Sequence, residues 1–180
     1  MAKTAPAKSL RPLATAQRAT QVARAAAKQL LKSPRWHSAL SGATPVSPLL
    51  VQRLDREDRY YYIVQFARHG GLTARLLVDA VSGELEEAGG IENASEQLSP
   101  FVSAGSWLAS MAGKPIELRA GVMLVVRPAT ITIGQVLGWK PCQESASAFR
   151  PFYLLYSGED VIYLRVDGKH YTTLHQAGPA

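Results

Sequence analysis

The chain has 180 residues and a net charge of +6, and 47% of its residues are hydrophobic against 19% charged. This balance excludes a disordered chain and fits one domain or two very small ones, and no apolar run approaches the roughly 18–20 residues of a membrane span. The N-terminus has no apolar secretory signal, and the single cysteine, Cys142, excludes an intramolecular disulfide, so we expect a cytoplasmic protein.

The positive charge is concentrated in the first third of the chain. Residues 1–54 contain nine lysines and arginines and no acid, whereas the rest contains eleven cations and fourteen acids, a balance of −3. A partner attracted by positive charge would therefore meet this basic arm. We expect residues 1–12, with two prolines, to be a mobile basic tail. The candidate binding cations of the arm are Lys3, Lys8, Arg11, Arg18, Arg24, Lys28 and Lys32.

Residues 14–32 predict a helix. They contain no glycine or proline and are rich in Ala, Gln, Arg, Lys and Leu, which favour helices. Pro34 follows and disfavours helix in the residue before it. At 100° per residue, Arg24, Lys28 and Lys32 share one side. The other side is thin and mostly alanine, and carries Ala16, Ala19, Ala23, Ala26, Ala27 and Leu30.

Beyond an irregular segment, 34–48, the pattern changes to short β-rich runs. Strands are expected at 49–54, 60–67, 72–80 and 84–88. A charged turn at 55–59 separates the first two, and glycine-containing turns at 69–71 and 82–83 supply the positive φ that tight hairpins need. Residues 14–90 therefore predict a helix followed by an antiparallel meander.

Residues 91–180 predict a second, less regular half that shares one core with the first. Residues 95–111 are mixed and partly helical, 115–126 read as one strand, and 131–137 are ambiguous. A polar loop at 141–148 precedes a return of the hairpin pattern, with strands at 149–157, 161–167 and 169–174 and turns between them.

Two stretches carry a family resemblance. Residues 76–85, in which a strand ends in Asp79, turns at Gly83 and returns, resemble the closing hairpin of PepSY-like domains. Residues 149–153 with 163–171 form a second, shorter version, whose aligned start in the first copy is 47–50. The resemblance covers about 45–90 and 147–175. It implies a cystatin-like α+β fold, one helix packed on a curled antiparallel sheet, with a degenerate duplication. It also implies a peptide- or protease-interaction module without chemistry of its own.

The residues that could carry catalysis or bind a metal do not form a known motif. The histidines His37, His69, His170 and His175 include no i, i+4 pair, and one cysteine cannot supply a CxxC ligand pair. Asp79 with the acids at 84, 86 and 87 could serve acid–base chemistry, but a solvated hairpin edge explains them more simply. We expect no metal, no cofactor and no enzymatic activity.

Three tyrosines and three arginines form the candidate partner-binding cluster. Alternation along a strand places Tyr60 and Tyr62 on one face and Tyr61 on the other. Aromatic rings interleaved with arginines can stack nucleic-acid bases on an open sheet, although core packing under long arginine stems accounts for the same pattern. The arginines of this cluster are Arg53, Arg56 and Arg59.

The basic arm admits several interpretations. It could bind nucleic acid through phosphates, dock on an acidic protein surface or larger assembly, or act as a mitochondrial presequence. The simplest alternative is a structural helix whose outer face is basic.

The sequence as a whole favours a non-enzymatic module that binds another protein or a peptide, in some settings as an accessory subunit of a larger assembly. The expected mechanism is addition of a partner strand to an exposed edge within 60–66 or 161–166. The alternative function is a nucleic-acid-associated protein that uses its basic arm.

Overall fold

The computed structural model describes residues 13–56, 58–93 and 96–177. The predicted tail, residues 1–12, and with it Lys3, Lys8 and Arg11, lies outside the described residues.

The helices are α1 (Ala16–Leu30), α2 (His37–Leu40) and α3 (Ala104–Met111). The strands are β1 (Thr44–Pro45), β2 (Leu49–Arg53), β3 (Tyr60–Arg68), β4 (Gly71–Asp79), β5 (Leu85–Gly90), β6 (Pro115–Arg119), β7 (Val122–Val125), β8 (Thr132–Ile133), β9 (Leu137–Trp139), β10 (Phe152–Ser157), β11 (Asp160–Arg165) and β12 (His170–Tyr171). The expected α+β class with a mostly antiparallel sheet is confirmed.

Helix α1 forms where its composition predicts it. Thr15 caps the first turn, its hydroxyl oxygen accepting a hydrogen bond from the Arg18 amide at 3.1 Å. The alanines Ala19 and Ala23 are fully buried against the sheet, which small side chains permit because they let the helix backbone approach closely. Ala16, predicted to lie on this apolar face, is exposed in the first turn. Among the helices described, none is long and apolar enough to cross a membrane.

The first meander matches the predicted strands closely. β2, β3, β4 and β5 pair antiparallel in chain order. The β3–β4 turn uses His69 and Gly70 at positive φ, and Gly83 does the same before β5. The interiors of β3 and β4 are buried on both faces, so neither strand shows the alternation of a half-exposed strand.

The second half differs more from its prediction. The single strand expected at 115–126 is a hairpin of two strands, β6 and β7, because Gly121 adopts a positive φ and turns the chain. Pro34–Trp36 and α2 form helical turns in a segment expected to be irregular. β12 is two residues long and therefore shorter than predicted.

One parallel pair joins the two halves into a ten-stranded sheet. β2 and β9 run parallel, with Val51 opposite Leu137 and Arg53 opposite Trp139. The sheet order is β12-β11-β10-β9-β2-β3-β4-β5. The short strand β1 pairs with β3 beside β2, and β8 pairs with β10 beside β9. Each half therefore has a short strand and a longer one side by side on the same neighbour.

Three hydrophobic clusters fill the molecule. The first lies between α1 and the side of β3 and β4 that carries Tyr62 and Leu76. The second packs α3 and the β6–β7 hairpin on β10 and β11. The third takes residues from both halves, including Tyr61 and Leu77 from one and Trp139 and Phe152 from the other. This third cluster connects the halves through packed side chains as well as backbone hydrogen bonds.

Candidate functional site

The predicted tyrosine cluster is largely internal. Tyr61 and Tyr62 are 3% and 7% exposed. The Tyr61 hydroxyl donates a hydrogen bond to the Ala148 carbonyl, and the Tyr62 hydroxyl donates to the Ala14 carbonyl, both at 2.9 Å. Burial raises the pKa of Tyr61 far above its ordinary value. The expectation that these two rings contact a partner is therefore corrected: they tie β3 to the loop before β10 and to the start of α1.

Tyr60 and the three arginines line a small cleft of about 180 Å³ at the end of the β2–β3 hairpin. Tyr60 is half-buried. The cleft also contains the carboxylates of Asp79 and Glu86. The structure thus brings Arg53, Arg56 and Arg59 together, as the sequence predicted. It also places two acids, Asp79 and Glu86, beside them, which the prediction did not include.

Two of these arginines are already paired with carboxylates. Arg53 makes a two-pronged contact with Asp55, at 2.9 and 2.8 Å, and its guanidinium lies 4.7 Å from the centre of the Trp139 ring. Arg59 lies 3.6 Å from Asp79. Burial, with the nearby Asp79 charge, raises the pKa of the Glu86 carboxyl. With two of its three arginines paired and the Tyr61 ring buried, this cleft is a poor platform for stacking bases.

The strand edges do not lie where the sequence analysis placed them. β3, which contains the proposed edge 60–66, has β1 and β2 on one side and β4 on the other, so it is an interior strand. β11, which contains most of 161–166, is covered by β12 opposite Tyr163 and Leu164. Both strands are flanked by strands that are close in the chain, β2 and β4 for β3 and β10 and β12 for β11, so the predicted order of hairpins already argued against an edge at these positions.

β5 is the longest open edge of the large sheet. Five of its six residues pair with β4 on one side, Glu86 being skipped at a register shift, and within the described ranges no strand pairs with the other side. The Ile91 amide donates to Thr73 on the β4 side, and amide direction alternates along a strand. The amides of Ala88 and Gly90 therefore point away from the sheet, where a further strand would bind.

A groove of about 210 Å³ lies beside this edge. It is lined by Arg35, Trp36 and the stretch from Ala88 to Glu92. Gly90 allows the close approach of Trp36: a β-carbon at this position would come within 2.7 Å of the ring. The Arg35 guanidinium lies 5.5 Å from the centre of the same ring. Edge and groove together form a strip that can accept an extended peptide and one of its side chains.

The outer surface of α1 carries the basic residues predicted for it. Arg18, Arg24 and Lys28 are exposed on the helix, and Lys32 is exposed just beyond its end. The helix contains no acid. Its opposite side packs in the first hydrophobic cluster. The helix is therefore part of the fold, as the simplest interpretation required, and its cations lie on the solvent side only.

The histidines and the cysteine do not converge. In the part of the chain that the structure describes, no three His, Cys, Asp or Glu side chains are close enough to hold a metal ion. His175 Nδ1 lies 2.6 Å from Glu144, and His170 packs against Trp107. Cys142 is buried, and burial raises the pKa of its thiol, which disfavours the reactive thiolate.

Fold and surface together define an α+β protein built on a large, mostly antiparallel sheet in which β5 forms one edge. No protein-family model, no curated protein and no solved structure matches the chain.

Proposed function

We propose that this protein is a non-enzymatic binding module that takes up a segment of another protein, or a peptide, as an added strand on β5. The observation that carries the proposal is the open side of β5, with outward-pointing amides next to the Trp36 groove. Strand addition supplies main-chain hydrogen bonds for affinity, and an adjoining groove supplies selectivity for a side chain.

The charge of the edge favours a basic segment. Glu84, Glu86 and Glu87 lie at the start of β5 or just before it, and Glu92 lies beyond its end. A lysine- or arginine-containing partner strand would meet these carboxylates as it paired. Charge complementarity of this kind increases the association rate and selects among partners.

The fold-level proposal is a cystatin-like, PepSY-like architecture in two degenerate copies. The repeated arrangement supports it: β1 and β2 lie on β3 as β8 and β9 lie on β10, and antiparallel strands follow in each half. Helix α1 packed on β3 and β4 fits the one-helix-on-sheet pattern. In this proposal the protein acts in the cytoplasm, alone or as an accessory subunit of an assembly.

Selection of peptides from a random display library tests the proposed function. The full chain should enrich extended, basic sequences, and Ala88→Pro should lose their binding, because proline removes the outward amide. Proline is tolerated on an edge strand where the amide faces away from the sheet, so the variant should keep the wild-type melting temperature.

Two matched variants locate the site. Glu87→Pro removes an amide that faces β4 and should destabilise the fold by about 1–3 kcal/mol. Met123→Lys alters the exposed apolar surface of β7, where Met123 is 56% exposed, and should leave peptide binding unchanged. Loss of binding in Met123→Lys with retention in Ala88→Pro would show that the edge has been assigned to the wrong strand.

The second candidate function is association with nucleic acid through the outer face of α1. Three exposed cations along an acid-free helix, with a fourth, Lys32, just beyond its end, favour it. Replacing Arg24, Lys28 and Lys32 by glutamine should leave the fold intact and reduce the affinity for a single-stranded oligonucleotide and the steepness of its salt dependence. Unchanged affinity in this variant would eliminate the function.

A further inference from the structure

A second arginine-lined cleft lies between the two halves, beside the middle of β4 at Arg75. It has a volume of about 440 Å³ and is larger than the other two clefts described above. The segment 97–101 forms one wall, and residues around the β11–β12 turn form another. Its charged residues are Arg75, Arg150, Arg165, Lys169 and a single acid, Asp167.

Arg165 and Asp167 form a paired, rigid part of this wall. The two side chains make a two-pronged contact at 2.9 and 2.7 Å, and Arg165 also donates to the Glu144 carbonyl. The Arg165 side chain is only 9% exposed. Because Asp167 compensates Arg165, the charges of Arg75, Arg150 and Lys169 remain without an acid among the described residues that line the cleft.

Arg75 is held in place by groups that do not neutralise it. Its guanidinium lies 4.5 Å from the centre of the Phe101 ring and donates through Nη2 to the Ser99 carbonyl. Its Nε is buried and has no hydrogen-bond partner within the described residues. Burial and repulsion from the Arg150 charge lower the pKa of Arg75. A buried donor without an acceptor is costly, and an anion in the cleft could relieve that cost.

Gln65 adds a second unused donor. It lies directly opposite Arg75 in the β3–β4 ladder, so both side chains are on one face of the sheet. Gln65 is 8% exposed, and its Nε2 is buried without a partner among the described residues. Two donors on this face of the sheet, Arg75 Nε and Gln65 Nε2, are therefore buried without an acceptor among the described residues.

We propose that this cleft binds a small organic molecule through its phosphate group, with Arg75, Arg150 and Lys169 contacting the phosphate. A phosphate monoester carries close to two negative charges and three acceptor oxygens at neutral pH, which suits a cleft lined by three cations better than a single carboxylate does. Guanidinium groups match phosphate geometry with paired hydrogen bonds. Leu98, Pro100 and Phe101 supply an apolar wall for the organic part.

Calorimetric titration of the full chain with phenyl phosphate and with inorganic pyrophosphate tests this inference. Phenyl phosphate should bind saturably with one site per chain and more tightly than pyrophosphate, because only its ring can contact the apolar wall. Arg75→Gln and Arg150→Gln should each raise the dissociation constant about tenfold, the factor that loss of one charge-assisted contact gives. Arg24→Gln, on the outer face of α1, should leave the dissociation constant unchanged.

Melting temperatures without ligand separate binding from folding. Arg150→Gln should melt at the wild-type temperature or above it, because it relieves the repulsion between Arg150 and Arg75. Absence of saturable binding, an equal loss in Arg24→Gln, or tighter binding of pyrophosphate than of phenyl phosphate would overturn the proposal. Binding of a single-stranded oligonucleotide without binding of phenyl phosphate would also overturn it. The peptide selection on β5 is independent of these variants, so either proposal can fail alone.

Discussion

The two halves of the molecule have similar strand arrangements but cover their strands differently. In the first half, fifteen-residue α1 lies on β3 and β4, which are nine residues each, through an alanine surface. In the second half, eight-residue α3 and the β6–β7 hairpin cover β10 and β11, which are six residues each, and Trp107 and Leu108 fill the space. A long helix with small side chains and a short helix with large ones are thus two ways to cover the same kind of meander.

A second contrast concerns two arginine–aspartate pairs, one in each half. Arg53 ends β2 and Arg165 ends β11, and each makes a two-pronged contact with the aspartate two residues later. Each guanidinium also lies over an aromatic ring, at 4.7 Å for Trp139 and 5.7 Å for Tyr171. The Arg53 side chain is 23% exposed and the Arg165 side chain 9%. The same local motif is therefore more exposed to solvent in the first half and more buried in the second.

The largest expected effect tests whether the two halves share one core. Phe152 is fully buried in the third cluster and makes edge contacts with Tyr163 and Tyr171. Phe152→Ala should destabilise the protein by about 3–5 kcal/mol in urea unfolding, whereas Tyr156→Ala, at a side chain 39% exposed, should cost much less. For the wild-type chain, tryptophan fluorescence and far-UV circular dichroism should report the same unfolding midpoint. Separate midpoints would show that the halves unfold as independent domains.

The alanine surface of α1 can be tested with one substitution at two positions. Ala23 is fully buried, so Ala23→Leu should overpack the helix against the sheet and cost about 1–3 kcal/mol. Ala16→Leu, in the exposed first turn, should change the stability by less than about 0.5 kcal/mol. Thermal and urea unfolding measure both. Equal effects at the two positions would contradict the close packing of α1 on β3 and β4.

The two arginine–aspartate pairs should differ in strength. Asp167→Asn leaves the more buried Arg165 without its carboxylate and should cost about 1–2 kcal/mol. Asp55→Asn disrupts the more exposed pair and should cost about 0–1 kcal/mol. Urea unfolding of both variants at neutral pH measures the difference. A larger loss in Asp55→Asn would show that burial does not set the strength of these pairs.

The pH dependence of stability gives the smallest expected effect. The hydrogen bonds from Arg165 lower the pKa of Asp167 in the folded state. A carboxyl with a lowered pKa contributes its full stabilisation above its ordinary pKa of about 4, and this contribution is lost as the pH falls through the lower, folded-state value. Below about pH 4 the melting temperature of Asp167→Asn should therefore fall less steeply than that of the wild type. Parallel curves would contradict the pairing.

Local signals in the sequence determined the first half and the final hairpins. Helix α1 is predicted by its composition and by Pro34, which ends the helical segment. The meander is predicted by β-rich runs separated by residues that accept positive φ, such as His69, Gly70 and Gly83. Glycines at 158 and 168 mark the last two turns in the same way. These features depend on neighbouring residues, so their pattern is readable without knowledge of the rest of the chain.

The sites were decided by contacts between distant segments. Pairing of β2 with β9 joins the two meanders into one sheet, which covers β2 and leaves β5 as the open edge of the first half. Loops from the second half bury Tyr61, and the segment before α3 brings Phe101 to Arg75. Which distant strands pair depends on how the side chains of already formed helices and hairpins pack against one another. The spacing of residues within a single segment does not show that packing. The sequence alone therefore determined the elements and the charge of the basic arm, and the tertiary structure decided which edge is open, which rings are buried and where unpaired arginines meet.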